Sequence, residues 1–512
     1  MLIKYLLDIE QKRQYLNNEF SKYKRRAKKL MDEGYYLNAL KMLQYAASIA
    51  YDFPILASYV DDEMEEYIGM AGYEIIQSMP VIFDSNPKNI ILYSTTAVDY
   101  GALTEQYLYG LKSLGFNVLL IVSSDNGTKS AARIKKYCEH NDVEVFFPDS
   151  VKFELWTKGV RDKIQLFKPS KIFIHSNPID IRACIAFLEI DVDTYFINHS
   201  DHSFWLGKNF FKYFIEHRNF GIALTNERRQ ISKDRIFKVP FYHIVNEDET
   251  FKGLDINIED KLVLISGGAL YKYYLEPELP LFNHIKDLLL KYENIVFLLC
   301  GAGDEKPVKK FIKQNSLQDQ FFYLGKRGDF SLLISKADIL VESYPYRGGL
   351  VTLYAINENI PVLGVSDNET PAGSLNDWYG MKGYEQPKNF KEFINEAELL
   401  IESENYRNKV AKAQKADMWC EREFLRGLDD TLNLIRNNSV DEEFSLTLND
   451  DRTLSFYLSI NPIGFRLWFN KVLYLGNSDG YIKGILQLLK APLYIRKLTT
   501  RSFGGLIRNY FK

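Results

Sequence analysis

The first part of the chain alternates apolar and polar residues at helical spacing. Apolar side chains recur every three or four residues from Ile9 to Glu33, and Gly34 ends this segment. The next run, residues 34–47, resembles half of a tetratricopeptide hairpin. One such unit has no neighbour against which to bury its apolar face, so it does not indicate a repeat array. We interpret residues 1–83 as a helical N-terminal cap on the domain that follows.

From residue 90 onwards, short apolar runs alternate with amphipathic segments. This alternation predicts βαβ units and parallel sheets. The first series of runs lies at residues 90–93, 118–122, 143–147, 171–175, 194–198 and 221–224. The second series lies at residues 261–266, 295–300, 321–324, 339–342 and 362–365.

An irregular acidic stretch at residues 245–260 separates the two series. We therefore predict an α/β protein with two Rossmann-like parallel-sheet domains, one at residues 84–245 and the other at residues 246–435. Open sheets of this kind bind ligands at the carboxyl ends of their strands. Two successive domains of this type are expected to face a common cleft.

The last segment, residues 436–512, has no strand pattern and is predicted to be a basic, helical tail. Residues 461–512 contain nine Lys or Arg and one acid, Asp479. Apolar residues fall on one helical face around Ile482 to Leu489, with Lys483 and Lys490 off that face. Such a tail either lies on an anionic membrane surface or packs on the protein with its charges outward.

Composition narrows the class of protein. The 512 residues are 46% hydrophobic and 26% charged, which is typical of a globular protein. There is no apolar run of the roughly 18 residues that a membrane span needs, and the first ten residues lack a secretory leader pattern. The four cysteines are scattered, which excludes a disulfide framework or a zinc ribbon. We expect a cytoplasmic protein, either fully soluble or held on the inner membrane face by its tail.

A net charge of −3 gives no reason to expect a nucleic-acid partner. Candidate chemistry comes instead from residues 337–355, where a buried strand runs into a turn and then a helix. Gly348 and Gly349 allow the backbone to approach a ligand, and the helix N-terminus favours a phosphate. Arg347 adds a bidentate donor and Thr352 a hydroxyl. The alternative is an ordinary tight turn between a strand and a helix.

The order of motifs in this region, an Ala-Asp strand, a Tyr-x-Gly-Gly turn, a helix and a Pro-Val strand, resembles the C-terminal domain of GT-B glycosyltransferases. The style is similar to the branch that includes O-GlcNAc transferase and the bacterial HMW1C-like enzymes. At the level of the fold the resemblance spans about residues 88–435, and its specific motifs lie within residues 261–365.

The resemblance implies where the nucleotide-sugar donor binds. Residues 262–272 look like the first strand and loop of that domain, where the family places a lysine, here Lys272, on the diphosphate. Residues 322–326 look like the strand end that borders the nucleotide base. The implied donor-binding residues are Gly268, Lys272, Gly325, Lys326, Tyr346, Arg347, Gly348, Gly349 and Thr352.

One feature departs from the resemblance. Many retaining GT-B enzymes have two glutamates eight residues apart around this helix, whereas this chain has Tyr346 and Tyr354 at that spacing. This difference argues against that retaining family and leaves the stereochemical outcome open.

In the first α/β domain, residues 195–207 follow a strand directly and contain two histidines, an aspartate and a tryptophan. A sugar transfer needs a base for the acceptor hydroxyl, and His202 or Asp201 is our candidate. We expect His199 to contact the acceptor and Trp205 to stack on a sugar ring. The alternatives are structural histidines, a helix cap at Asp201, or a metal site. Metal fits least, because no third ligand stands at a recognisable spacing.

Asp99 lies in the polar loop after the first predicted strand. In GT-B proteins the equivalent loop lines the acceptor side. A helix N-cap is the favoured role for Asp99, and a contact to the acceptor is the other.

Together, these features predict a metal-independent glycosyltransferase that moves a hexosyl or N-acetylhexosaminyl group from a nucleotide sugar to a hydroxyl. The resemblance makes a UDP-sugar the default donor. The acceptor is a glycan, a lipid-linked glycan or a protein, in surface polysaccharide or glycoconjugate synthesis. The nucleotide sugar is a co-substrate, and no further cofactor is expected. The alternatives are a catalytically silent GT-B scaffold that binds glycan or a partner enzyme, and a GT-B nucleotide-sugar epimerase.

Overall fold

In the computed structural model, the chain forms two compact units. It describes residues 8–95, 103–123, 129–149, 152–242, 250–274, 279–366, 377, 383–416, 418–435, 444, 446–460 and 463–475. The described residues of unit 1 lie within 8–242, 420–446 and 466–475. Those of unit 2 lie within 250–419 and 447–465.

Unit 1 begins with three helices, as the sequence predicts. They are α1 (Ile9–Asp32), α2 (Tyr36–Asp52) and α3 (Asp62–Ile76). Asp8 starts α1 by accepting a hydrogen bond from the backbone N–H of Gln11, and Gly34, with a φ of 80°, provides the left-handed turn into α2. The ring of Tyr23 on α1 meets the ring of Tyr45 on α2 edge to face, with centroids 4.4 Å apart. The two helices therefore bury a common apolar seam.

A seven-stranded parallel sheet forms the centre of unit 1, in the order β3-β2-β1-β4-β5-β6-β7. Its strands are β1 (Asn89–Ser94), β2 (Asn117–Val122), β3 (Glu144–Phe146), β4 (Lys171–His175), β5 (Asp193–Ile197), β6 (Tyr213–Glu216) and β7 (Ile236–Lys238). Its helices are α4 (Leu103–Ser113), α5 (Lys129–His140), α6 (Phe153–Phe167), α7 (Ile181–Ala186) and α8 (Asn219–Glu227).

One predicted strand of unit 1 is wrong. Residues 221–224 belong to helix α8, and the strand of this region is β6, eight residues earlier. A buried four-residue apolar run looks the same in a strand and in a buried helix, because its periodicity is too short to read.

Unit 2 contains a five-stranded parallel sheet in the order β10-β9-β8-β11-β12. Its strands are β8 (Leu262–Gly267), β9 (Ile295–Cys300), β10 (Phe321–Gly325), β11 (Ile339–Val341) and β12 (Val362–Leu363). Its helices are α9 (Pro280–Lys291), α10 (Lys306–Gln314), α11 (Phe330–Ile334), α12 (Gly349–Asn357), α13 (Phe390–Glu402) and α14 (Glu404–Ala416). The prediction of two parallel-sheet α/β domains is thus confirmed.

The C-terminal part of the chain divides between the units. Helix α15 (Glu421–Leu432) belongs to unit 1, where Phe424 and Leu428 join the core of the seven-stranded sheet. A Cβ on Gly110 of α4 would lie 2.7 Å from a methyl group of Leu428, so the two helices pack in close contact. The sequence places this helix in the second α/β domain, because an amphipathic pattern shows that a face is buried but not against which sheet.

Two further helices follow, α16 (Asp450–Ile460) in unit 2 and α17 (Ile463–Leu475), which lies mostly in unit 1. In α17, Arg466 binds both carboxylate oxygens of buried Asp52 at 2.7 Å, and Asn470 donates to the same carboxylate. Over the described ranges, no helix combines the length and apolar character needed to cross a membrane. The remainder of the predicted tail, residues 476–512, lies outside the described residues.

Candidate active site

The carboxyl ends of β8 and β9 are packed backbone against backbone. A Cβ on Gly301 would lie only 2.0 Å from the carbonyl oxygen of Gly268. This is a steric clash, so residue 301 must be a glycine if the two strand ends are to pack this closely. Gly268 itself has a φ of 154° and donates its N–H to the carbonyl of Cys300. This close approach turns the chain sharply after β8 into the short 3₁₀ helix that carries Lys272.

Lys272 joins this loop to the turn between β11 and α12. Its Nζ donates to the carbonyl oxygen of Arg347 at 3.0 Å and lies 5.5 Å from the ring centre of Tyr346. The backbone N–H of Tyr346 donates in return to the carbonyl of Lys272. Burial lowers the pKa of Lys272, although the carboxylate of Glu342 opposes this shift. The structure thus brings together two segments that the sequence predicts to share a ligand.

Glu342 was missed by the sequence analysis. It directly follows β11, only 3% of its surface is exposed, and its Oε2 accepts the N–H of Gly348 at 3.3 Å. Its Oε1 is buried with no hydrogen-bond partner among the described residues. Burial raises the pKa of Glu342 to about 7, against the Gly348 bond and the charges of Arg347 and Lys272. The available signal was an acid at the end of an otherwise apolar strand.

The other predicted donor residues lie along the same edge of the sheet. Arg347 is 6% exposed and donates to the carbonyl of Val365, just beyond β12, so its guanidinium braces the neighbouring strand end. Thr352 is fully buried, and its hydroxyl has no partner among the described residues. Gly325 ends β10 with a φ of 69°, and Lys326 after it is exposed.

In unit 1, Asp201 is held in a buried ion pair. Its Oδ2 accepts from Nε of Arg218 at 2.6 Å, and its Oδ1 faces Nη2 of Arg218 and Nδ1 of His202, each at 3.2 Å. Burial would raise the pKa of Asp201, but the charge of Arg218 and the bonds from His202 and Arg218 hold it well below its usual range. A carboxylate so stabilised is a weak proton acceptor. The geometry therefore favours Asp201 as the residue that orients His202.

The loop that carries these residues is fixed by two more buried charges. Arg229 donates to the carbonyls of Asp201 and Ser203 at 2.6 and 2.7 Å. Glu216, fully buried at the end of β6, accepts from Asn198 and Thr225. Burial raises the pKa of Glu216 to about 7, against the charge of Arg229. Buried charges are tolerated only when they are paired and hydrogen-bonded, so this loop has little freedom to move.

The predicted role of Trp205 is corrected by the structure. Trp205 is 0% exposed, and its ring stacks on Phe214 with centroids 5.3 Å apart. The guanidinium of Arg229 lies 4.8 Å from the same ring. Trp205 is a core residue, and its faces are not available to a sugar.

Histidines lie at the carboxyl ends of three neighbouring strands of unit 1. They are His175, the last residue of β4, His199, two residues after β5, and His217, directly after β6, and the sequence analysis singled out His199 alone. The rings of His175 and His199 meet edge to face at 4.8 Å. The protein packed around the ring, and then His217 and His202, lower the pKa of His199 to about 4, although the residue is exposed to solvent by surface area. His199 is therefore neutral near pH 7.

Two other expectations from the sequence concern Asp99 and a metal site. Asp99, the remaining candidate for the acceptor side, lies outside the described residues. In the part of the chain that the structure describes, no three His, Cys, Asp or Glu side chains are grouped so that they could hold a metal ion.

The raised pKa of Glu342 predicts a pH-dependent stability. The folded chain keeps the proton up to about pH 7, whereas the unfolded carboxyl loses it near its ordinary value of 4.5. Wild type should therefore lose stability relative to Glu342→Gln as the pH rises from about 4.5 to 7, by on the order of 3 kcal/mol. Thermal unfolding midpoints from pH 5 to 8 measure this difference, with Glu293→Gln as a surface control. A difference that stays constant with pH would contradict the buried, protonated carboxyl.

Comparison with known proteins agrees with this architecture. Residues 246–417 match the family of glycosyl transferases group 1. No curated protein matches the chain in sequence.

Among solved structures, HepE from Anabaena in complex with UDP and glucose has a TM-score of 0.52 at 15% identity, covering 67% of this chain and 99% of its own. A glycosyltransferase from Rickettsia africae has a TM-score of 0.52 at 16% identity, covering 69% and 100%. A mutant O-GlcNAc transferase from Thermobaculum terrenum has a TM-score of 0.51 at 14% identity, covering 82% and 84%. The chain thus has the GT-B fold, and its residues 246–417 match the family of glycosyl transferases group 1.

Proposed function

We propose that the chain is a glycosyltransferase that takes its sugar from a UDP-sugar and transfers it to a hydroxyl of a glycan, a lipid-linked glycan or a protein, in surface polysaccharide or glycoconjugate synthesis. The observation that carries the proposal is the junction of Lys272 with the turn before α12, inside the matched domain. HepE, which has a similar fold, was solved with UDP and glucose, and this supports UDP as the nucleotide.

On the donor side, the reaction needs positive charge where the diphosphate leaves. Lys272 supplies one cation, and the backbone N–H groups at the start of α12 supply aligned dipoles. Breaking the bond between the sugar C1 and the phosphate oxygen places negative charge on the diphosphate. Groups already fixed at that point stabilise the charge without reorganising. We propose that this arrangement replaces a metal ion and that no further cofactor takes part.

On the acceptor side, we propose His202 as the base. When Nδ1 of His202 carries the proton shared with Asp201, Nε2 presents the lone pair. The acceptor hydroxyl gives its proton to Nε2 as its oxygen bonds to the sugar C1, and UDP leaves. Asp201 keeps the imidazole in the required tautomer and stabilises the imidazolium that forms, as in other carboxylate–histidine pairs. We propose that His199 contributes a neutral contact to the acceptor.

We also propose that the basic tail contacts an anionic membrane, where a lipid-linked acceptor would be presented. Of the nine basic residues in 461–512, two are engaged within unit 1: Arg466 with Asp52, and Lys471 with Glu19. The other seven lie at residues 483–512, outside the described residues. A cluster of this size is enough to bind an anionic surface by charge.

UDP binding should depend on Lys272. Replacing a charge-assisted contact to phosphate should weaken UDP binding about tenfold or more, so Lys272→Ala should lose the thermal stabilisation that UDP gives wild type. A thermal-shift series with UDP, GDP, CMP and dTDP measures this effect, with the exposed Lys336→Ala as the matched control. Stabilisation by a nucleotide other than UDP would correct the donor. No stabilisation by any of them would favour the silent scaffold.

Turnover should depend on His202. Removing a general base costs about 10²- to 10⁴-fold in kcat, so His202→Ala should lose that much sugar transfer while UDP affinity stays at the wild-type value. UDP release measured with each acceptor class, with the exposed His140→Ala as the control, separates the two quantities. Near-normal turnover in His202→Ala would show that another group accepts the proton.

Membrane binding should depend on charges of the tail. Changing Lys483, Lys490 and Lys497 together to Gln should weaken binding to vesicles containing phosphatidylglycerol by roughly 100-fold, at about 1 kcal/mol per lysine. The matched control changes Lys28, Lys29 and Lys41 to Gln and should bind like wild type. Co-sedimentation with anionic and with pure phosphatidylcholine vesicles measures this. Equal binding to both vesicle types, or none to either, contradicts an electrostatic contact.

A further inference from the structure

Helix α16 lies outside the matched glycosyltransferase domain and yet packs within unit 2. Asn449 stabilises its first turn by accepting the backbone N–H groups of Asp451 and Arg452. Leu454 is fully buried, and Phe456 is 7% exposed. The helix therefore buries both of these apolar side chains within the fold.

The contact made by Phe456 is with the donor turn itself. Its ring stacks on the ring of Tyr346, with centroids 5.5 Å apart and planes inclined by 20°. The same Tyr346 ring lies 6.1 Å from that of Tyr271 and 5.5 Å from Nζ of Lys272. Its backbone is bound on both sides, since its N–H donates to the carbonyl of Lys272 and its carbonyl accepts from Ser343 Oγ at 2.6 Å.

We propose that Phe456 is a positioning residue of the donor site. By stacking on Tyr346 it holds the turn that accepts Lys272, so that the cation and the N-terminus of α12 are in place before the nucleotide diphosphate arrives. Ordering these groups in advance removes a conformational-entropy cost from binding. The inference rests on the proposed function, and it adds a residue from outside the matched range, 246–417, to the donor site.

The test measures UDP affinity by calorimetry and donor KM by initial rates. An offset aromatic pair contributes enough for its loss to weaken binding about two- to tenfold. Phe456→Ala should show that loss with kcat nearly unchanged, and Phe456→Leu should show it while keeping an apolar side chain in the helix. Phe456→Tyr, which keeps an aromatic ring at this position, should bind UDP with wild-type affinity. Leu454→Ala, a truncation in the same helix, controls for general loosening and should bind UDP like wild type.

A double-mutant cycle decides whether the effect runs through Tyr346. Tyr346→Ala should weaken UDP binding, and adding Phe456→Ala should weaken it no further. Additive losses, wild-type affinity in both Phe456→Ala and Phe456→Leu, or an equal loss in Leu454→Ala would each overturn the inference. If Lys272→Ala weakens UDP binding while these variants do not, the proposed function stands and the inference fails. If wild type binds no UDP, both fail.

Discussion

The close approach of the chain after β8 and β9 is the constraint on which the proposed donor site depends. A carbonyl oxygen of Gly268 occupies the space where any side chain at residue 301 would begin. This contact forces the chain after β8 to turn at once into the 3₁₀ helix, and that turn places Lys272 against the carbonyl of Arg347. A larger residue would push the two strand ends apart, because a densely packed interior has no room to absorb the added volume.

Buried ionisable groups fix the loops of both units. In unit 1, Asp201 is paired with Arg218, and Arg229 holds the carbonyls of the same loop. In unit 2, Glu342 accepts the N–H of Gly348 in the turn before α12. Each of these groups loses its hydration on folding. The free-energy cost of that loss is offset only in the one arrangement in which its hydrogen-bond and charge partners surround it. Such groups contribute little net stability, but they make the alternative loop conformations costly. The same loops carry the residues to which we assign the chemistry.

The segments after residue 417 complete parts of both units that lie outside the matched domain. Helix α15 completes the core of unit 1, although it follows directly on the matched part of unit 2. Helix α16 returns to unit 2 and covers the ring of Tyr346. Helix α17 ends in unit 1, where its arginine satisfies a buried aspartate. Residues that are remote in sequence therefore complete cores and turns that the α/β domains leave open.

Much of the candidate site could be predicted from local pattern. Glycines at sharp turns, a lysine after the first strand of the second sheet and an arginine before a helix all lie where the sequence indicates, at the carboxyl edge of a parallel sheet. Trp205 could not be assigned in this way, since a tryptophan after a strand end is equally consistent with a sugar platform and with a core residue. Its complete burial follows from Phe214 and Arg229, which reach it from other elements.

Spacing and backbone freedom within a few residues are enough to predict the helical N-terminus, most of the parallel strands and the turns that need glycine. Which sheet α15 joins, which ring covers Tyr346 and which acids are buried beside cations depend on contacts between segments that are far apart in the chain. Periodicity shows that one face of a helix is buried, but not which segment covers it. The pKa of a buried residue such as Glu342 likewise depends on chain segments that meet only after folding.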